Sequence, residues 1–205
     1  MKQANDWAVN KYKSWDIDAR NEEWGKWKGW ERGITHVDLI SPRIQSLEAR
    51  QLAWSPSTGK KGVQAEVIIL PAAKDSMDFV NNLKSVKGKF VMISMPQPTG
   101  RPDDNWEEWA TEESFEKMKK DRDSLSEVWR ERTSASGLSR RELPQALEKA
   151  GAAGIISSYW SRGFGVNKVF SSYTEEIPTI DISLEDYGML YRLAEYGDKP
   201  ELKVV

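Results

Sequence analysis

Pairs of neighbouring carboxylates, among them Asp103-Asp104, Glu107-Glu108, Glu112-Glu113, Glu175-Glu176 and Glu185-Asp186, are the most obvious candidates for acid–base chemistry in this chain. General acid–base work needs two carboxyl groups held across a cleft in different environments. Adjacent acids on loops and helix starts supply no such geometry, so these pairs read as solvated surface charge. His36 is the one histidine among 205 residues, and there is no cysteine. A single imidazole cannot build a multi-histidine metal site, and zero cysteine removes disulfides, thiolate metal ligands and thiol nucleophiles together. No G-x-S-x-G elbow accompanies His36, which reads as a structural residue at a loop-to-strand boundary.

Three further motifs fail on inspection. Ser57-Thr58-Gly59-Lys60-Lys61 is like the end of a phosphate loop, but Trp54 holds the leading glycine position and Lys61 replaces the Mg²⁺-binding hydroxyl. Asp103-Asp104-Asn105-Trp106-Glu107 has calcium-like acids, but Glu108 stands where the loop glycine belongs. Gly163-Phe164-Gly165 lacks the third glycine of a dinucleotide loop and reads as a strand-to-loop turn. Around it, however, Trp160, Arg162 and Phe164 leave an apolar strand together, and Trp and Arg are the commonest interface anchors. They form the best ligand or interface contact patch in the sequence.

The 30 basic and 32 acidic side chains leave a formal charge of −2, against the basic excess usual in a nucleic-acid binder. No apolar run approaches the ~18 residues of a membrane span. The start lacks the apolar core of a signal peptide. The expectation is a cytoplasmic protein, or one whose export signal lies upstream of this chain.

The elements that must position these residues are mixed. Met1–Gly33 holds five of the ten tryptophans, Trp7, Trp15, Trp24, Trp27 and Trp30. The spacing predicts a helix over 4–15, a polar strand near 18–24, and an aromatic, glycine-broken loop over 24–30. Val37–Ile40 and Ser46–Trp54 alternate partly, Val63–Leu70 alternates at first and is then fully apolar, as a strand buried on both faces at one end, and Gly88–Met95 reads as a strongly buried strand. Between them 76–83 reads as a short helix, and 97–105 reads as a loop. Thr111 should cap a long helix to about Thr133, with Phe115, Met118, Leu125 and Trp129 on one face and Arg122 spoiling the stripe. Ser139 and Glu142 have the capping-box pattern, but Pro144 fits better as a first helical residue, which makes the box incidental. Then come strands at 154–159 and 177–182, a helix from Ser183 to Glu195, and a last strand at 201–205. Interspersed strands and helices make the fold α/β or mixed α+β.

Leu147-Glu148-Lys149-Ala150-Gly151-Ala152-Ala153-Gly154-Ile155-Ile156 resembles the helix–strand signature of protease-associated (PA) domains. Leu52-Ala53-Trp54-Ser55-Pro56, Gly88-Lys89-Phe90-Val91-Met92-Ile93 and Ile177-Pro178-Thr179-Ile180-Asp181-Ile182-Ser183 stand in the family's order. Trp24-Gly25-Lys26-Trp27-Lys28-Gly29-Trp30 is similar to the stretch ahead of this insert in bacterial co-catalytic zinc exopeptidases, relatives of glutamate carboxypeptidase II and the transferrin receptor. One departure is that Ser94-Met95-Pro96 stands where many members carry an Arg-Gly turn, so that turn's ligand contacts are not carried over.

The resemblance implies a Trp-rich lead-in over 1–37 and a PA-like β/β/α open sandwich over 38–205, with the long helix as an insertion. It implies a non-catalytic lid, substrate-guiding or protein-interaction domain of a secreted or periplasmic peptidase. Catalytic residues and zinc ligands would lie beyond Val205, leaving no cofactor in this chain. The partners implied are the catalytic domain of the same parent chain, against which Trp24, Trp27 and Trp30 would pack, and a peptide or protein substrate. The alternative is a free-standing glycan- or peptide-binding module that uses exposed tryptophan.

Overall fold

The computed structural model describes residues 2–26 and 29–205. Trp27 and Lys28 lie outside the described residues. Contacts divide the chain into two compact units between Glu31 and Arg32.

In the first unit, α1 (Lys2–Lys13) carries basic residues in its last turn, where they complement the helix dipole. It buries none of its residues, and Trp7 and Trp15 stay more than half exposed. Past its end, the Trp15 indole meets Tyr12 edge-on at 6.1 Å and Lys11 at 5.2 Å. Asn21 Nδ2 donates to Asp6 at 2.7 Å. The polar strand expected near 18–24 is absent, and residues 17–26 are irregular. Asp18-Ala19-Arg20-Asn21-Glu22-Glu23 has no β-branched or aromatic side chain, so nothing favours an extended ladder there.

The second unit is built on β1 (Val37–Ser41), β2 (Gln45–Ser46), β3 (Ala49–Gln51), β4 (Val63–Ile69), β5 (Phe90–Met92), β6 (Gly154–Ser157), β7 (Thr179–Ile182) and β8 (Glu201–Val204). They form one sheet in the order β2-β1-β8-β4-β5-β6-β7-β3. Strands β4 to β7 run parallel, and the remaining pairs are antiparallel. The two end strands, β2 and β3, are separated in the chain only by Leu47 and Glu48. Laid flat, eight strands would put those ends about 34 Å apart. Three Cα steps reach about 11 Å at most. The sheet must therefore curl, and Leu47-Glu48 joins its ends: Leu47 N donates to Val37 O, and Ser183 N to Glu48 O, both at 2.8 Å. The expected single strand over 46–54 is in fact these two short edges, because no one straight strand could serve both ends.

Six α-helices are described, with α2 at Ser76–Asn82, α3 at Asp103–Trp109, α4 at Glu112–Ser134, α5 at Glu142–Lys149 and α6 at Leu184–Glu195. The alternating pleat sorts each buried strand onto two faces. Phe90, Met92 and Ile156 join the concave core with Val67, Ile180, Leu202 and two residues of α6, Tyr187 and Leu190. Val91 and Ile155 point the other way, into a second core with Phe79 of α2 and Leu143 and Leu147 of α5. Close approach of β5 and β6 depends on glycine at one point: a Cβ on Gly154 would lie 2.5 Å from the ring of Phe90, its partner across the two strands.

Two local expectations change. The loop expected over 97–105 ends early, because α3 starts at Asp103, with Pro102 before it and Asp103 and Asp104 in its first turn. The Ser139 capping box is formed: Ser139 N donates to Glu142 Oε2 at 2.9 Å and Glu142 N to Ser139 Oγ at 3.3 Å. The Ser139 hydroxyl, then its N–H, hold the Glu142 carboxyl below the usual range. Pro144 is accommodated because it lies in the first turn of α5, where a missing N–H removes little.

Candidate functional site

Strands β5, β6 and β7 end side by side, and the carboxyl ends of parallel strands are where open α/β sheets hold ligands. The chain leaves β6 as a hairpin. Trp160 pairs with Asn167, Ser161 N donates to Val166 O at 2.9 Å, and Lys168 N to Tyr159 O at 2.8 Å. Arg162 and Gly165 both adopt positive φ, of 68° and 61°, which tightens the tip.

The structure brings Trp160, Arg162 and Phe164 onto this hairpin, but in three different settings. The Trp160 indole is half-buried, and its Nε1 donates to Gly163 O at 2.7 Å. The Arg122 guanidinium lies 5.8 Å from its ring centroid. Arg162 is exposed, with Nη1 at 4.0 Å from Asp103 Oδ2. Phe164, at the tip, is 64% exposed and is the ring most open to a partner. Asp103 also takes Nη1 of Arg122 at 2.6 Å. Arg122, the apparent flaw in the helical stripe, thus ties α4 to α3 and to the hairpin. In the first unit Trp24 is 87% exposed and Trp30 is half-buried.

Beneath the hairpin lies a polar network for which the sequence reading had no place. Asp181, on β7, is 3% exposed. Its Oδ1 accepts from Tyr159 N at 2.8 Å and its Oδ2 from Asn167 Nδ2 at 2.6 Å, with Ser157 Oγ at 3.2 Å from Oδ1. Burial pushes this carboxyl up to about 6, and the Tyr159, Asn167 and Ser157 donors pull against that rise. One strand further, Ser94 N donates to the Tyr187 hydroxyl at 2.9 Å, which donates back to Ser94 O at 2.6 Å. Ser158 N donates to Ser94 Oγ at 3.0 Å. Burial keeps the Tyr187 phenol protonated well beyond its ordinary range. The one signal that could have found this network is Asp181 itself, a charge set inside the apolar run Ile180-Asp181-Ile182.

Chemically the network holds a loop. Asp181 is met by backbone, amide and hydroxyl donors, and it clamps the base of the hairpin to β7. Asp181, Asn167 and Arg50 line a cleft of about 250 Å³ beside the hairpin. Among the described residues, no group of three or more His, Cys, Asp and Glu could hold a metal ion. No helix there is long and apolar enough to cross a membrane.

Comparison with known proteins bears on this fold. No protein-family model matches the chain. Over 81 residues, 40% of its length, it is 35% identical to carboxypeptidase Q of Xenopus laevis, and this match spans 17% of that protein. The crystal structure of a peptidase M28 precursor from Shewanella amazonensis SB2B superposes on 99% of the chain with a TM-score of 0.56 and 21% identity. The chain shares its fold with part of a peptidase. An aminopeptidase from Aneurinibacillus sp. strain AM-1 aligns over 84% of the chain, at a TM-score of 0.47 and 12% identity. The chain spans less than half the length of each: 40% of the Shewanella protein and 30% of the Aneurinibacillus enzyme.

Proposed function

We propose that this chain is a protease-associated-like, non-catalytic domain of a larger zinc-dependent exopeptidase. It guides or restricts the peptides that reach a catalytic domain elsewhere in the parent protein. The observation that carries the reading is the superposition of nearly the whole chain on 40% of an M28 peptidase. Local identity to a carboxypeptidase supports it. The hairpin supports a guiding role, since it presents Arg162 and Phe164 to solvent from a base clamped by Asp181. Zinc chemistry in this proposal belongs to the catalytic domain. The parent protein would be secreted or periplasmic. Trp24, Trp27 and Trp30 would pack on its catalytic domain, with 1–37 as lead-in and 38–205 as the PA-like region.

Removing the domain from the parent peptidase should lower kcat/KM for long peptides more than for dipeptide analogues. Equal effects on both would sink the guiding role. The alternative, a free-standing glycan or peptide binder, draws on the exposed Trp7, Trp15 and Trp24 rings. It requires a saturable affinity of the isolated chain for such ligands that Trp24→Ala, at the most exposed of these rings, abolishes.

A further inference from the structure

On the other side of the β6 end from the Asp181 cleft, a pocket of about 390 Å³ opens between the end of α4 and the start of α5. Its volume falls in the ~300–1,000 Å³ range of small-ligand sites. Ile93, Leu138 and Leu143 give it an apolar lining, Arg130 and Arg140 supply its charge, and Tyr159 joins Thr133, Ser134 and Ser139 as its hydroxyl groups. Ile93 follows β5 and Tyr159 lies just past β6, so the pocket sits at the carboxyl ends of two adjacent parallel strands.

Its charge is one-sided. Among the described residues neither Arg130 nor Arg140 has a carboxylate within 4.0 Å. The Arg140 guanidinium lies 4.7 Å from the Tyr159 ring centroid, which holds it at the pocket. Glu142, the nearest acid on α5, is occupied by the capping box with Ser139. Burial, only partly opposed by Arg140, raises the Tyr159 hydroxyl above its ordinary range, and like any phenol it carries its proton at neutral pH. Two guanidiniums and a phenol above an apolar floor match a carboxylate attached to an apolar group. Guanidinium is the side chain best suited to hold a carboxylate, by its planar, forked donors.

We propose that this pocket binds the C-terminal carboxylate of a peptide whose last side chain is apolar. The carboxylate meets Arg130 and Arg140, and the side chain lies on Ile93, Leu138 and Leu143. The choice of a peptide rests on the peptidase reading above, whereas the choice of an apolar carboxylate rests on the pocket alone.

The test titrates the 205-residue chain with N-acetyl-Ala-Ala-Leu, the same peptide as its C-terminal amide, and octanoate, following methyl resonances of Ile93 and Leu143. The free acid should bind saturably and shift both methyls. The amide should bind about tenfold more weakly or less, as expected for losing charged hydrogen bonds. Arg130→Gln and Arg140→Gln change exposed side chains and should leave the fold intact, checked by unchanged thermal unfolding. Each should weaken the acid by a similar factor and leave the amide unaffected. Equal binding of acid and amide, shifts elsewhere only, or indifference to both substitutions would overturn the proposal. Octanoate binding without the peptide would overturn its peptide part. This readout is independent of catalysis: a pocket that binds as stated, in a domain whose removal affects long and short substrates equally, would defeat the guiding role and leave the site standing.

Discussion

Strands β5, β6 and β7 and the long helix α4 are opposite solutions to the same requirement that a segment hold one position. Every residue of the three strands is buried. The 23-residue helix buries Met118 alone. It is held instead at separate points: Arg122 to Asp103, Arg132 Nη1 donating to Leu70 O at 3.3 Å, and Trp129 edge-on to Tyr191 at 6.4 Å. Dispersed apolar contact stabilises the strands, while a few polar and aromatic fastenings fix the helix. Damage should therefore be large and general in the first region and small and local in the second.

The sharpest way to break the contrast is Ile155→Ala. The side chain is fully buried between α5 and the sheet, so the loss should be about 2–5 kcal/mol by chemical denaturation. A loss below 1 kcal/mol would mean that the second core is loosely filled. Next is the pH dependence set by Asp181. Its folded pKa is raised, to about 6 from 3.8, so the folded state holds the proton more tightly than the unfolded chain. The stability contribution is complete below about pH 4 and is lost as pH rises through about 6, a change on the order of 2–3 kcal/mol. Unfolding curves from pH 4 to 7 should show that fall, and Asp181→Asn should flatten it. Tyr187→Phe comes third. It leaves the Ser94 N–H and C=O without their partner in the interior, at about 1–3 kcal/mol. The smallest effect belongs to the helix: Leu125→Ala, at a position 37% exposed, should change stability by no more than about 0.5 kcal/mol. A loss near that of Ile155→Ala would show that α4 is packed after all, and would erase the contrast.

How far the sequence could be read follows the same division. The apolar runs at Gly88–Met95 and Gly154–Tyr159 announced two strands of the sheet, because burial on both faces leaves a continuous hydrophobic signature, and Val63–Leu70 announced a third, of which only Val67 within the strand is fully buried. Thr111 and Ser183 announced their helices through caps that form as expected: Thr111 Oγ1 accepts from Ser114 N, and Ser183 Oγ from Asp186 N. Trp160, Arg162 and Phe164 share one hairpin because they are close in sequence, but the sequence did not say that Trp160 would be half-buried and Phe164 open.

Other features depend on residues far apart in the chain. Nothing local says that Gln45–Ser46 and Ala49–Gln51 must serve opposite ends of one sheet, because strand order depends on which distant edges are left to pair. Nor does an Asp in an apolar strand reveal that donors from residues 157, 159 and 167 will surround it. Arg122 looked like an error in a helical stripe until Asp103, nineteen residues earlier, came to face it. Local chemistry alone sets periodicity, caps and turns, since those interactions reach only a few residues along the chain. Tertiary structure decided which polar side chains are buried, which carboxylate keeps a raised pKa, and which guanidiniums face an open pocket. Those properties depend on desolvation and on partners brought together only when the sheet curls and its helices close over it.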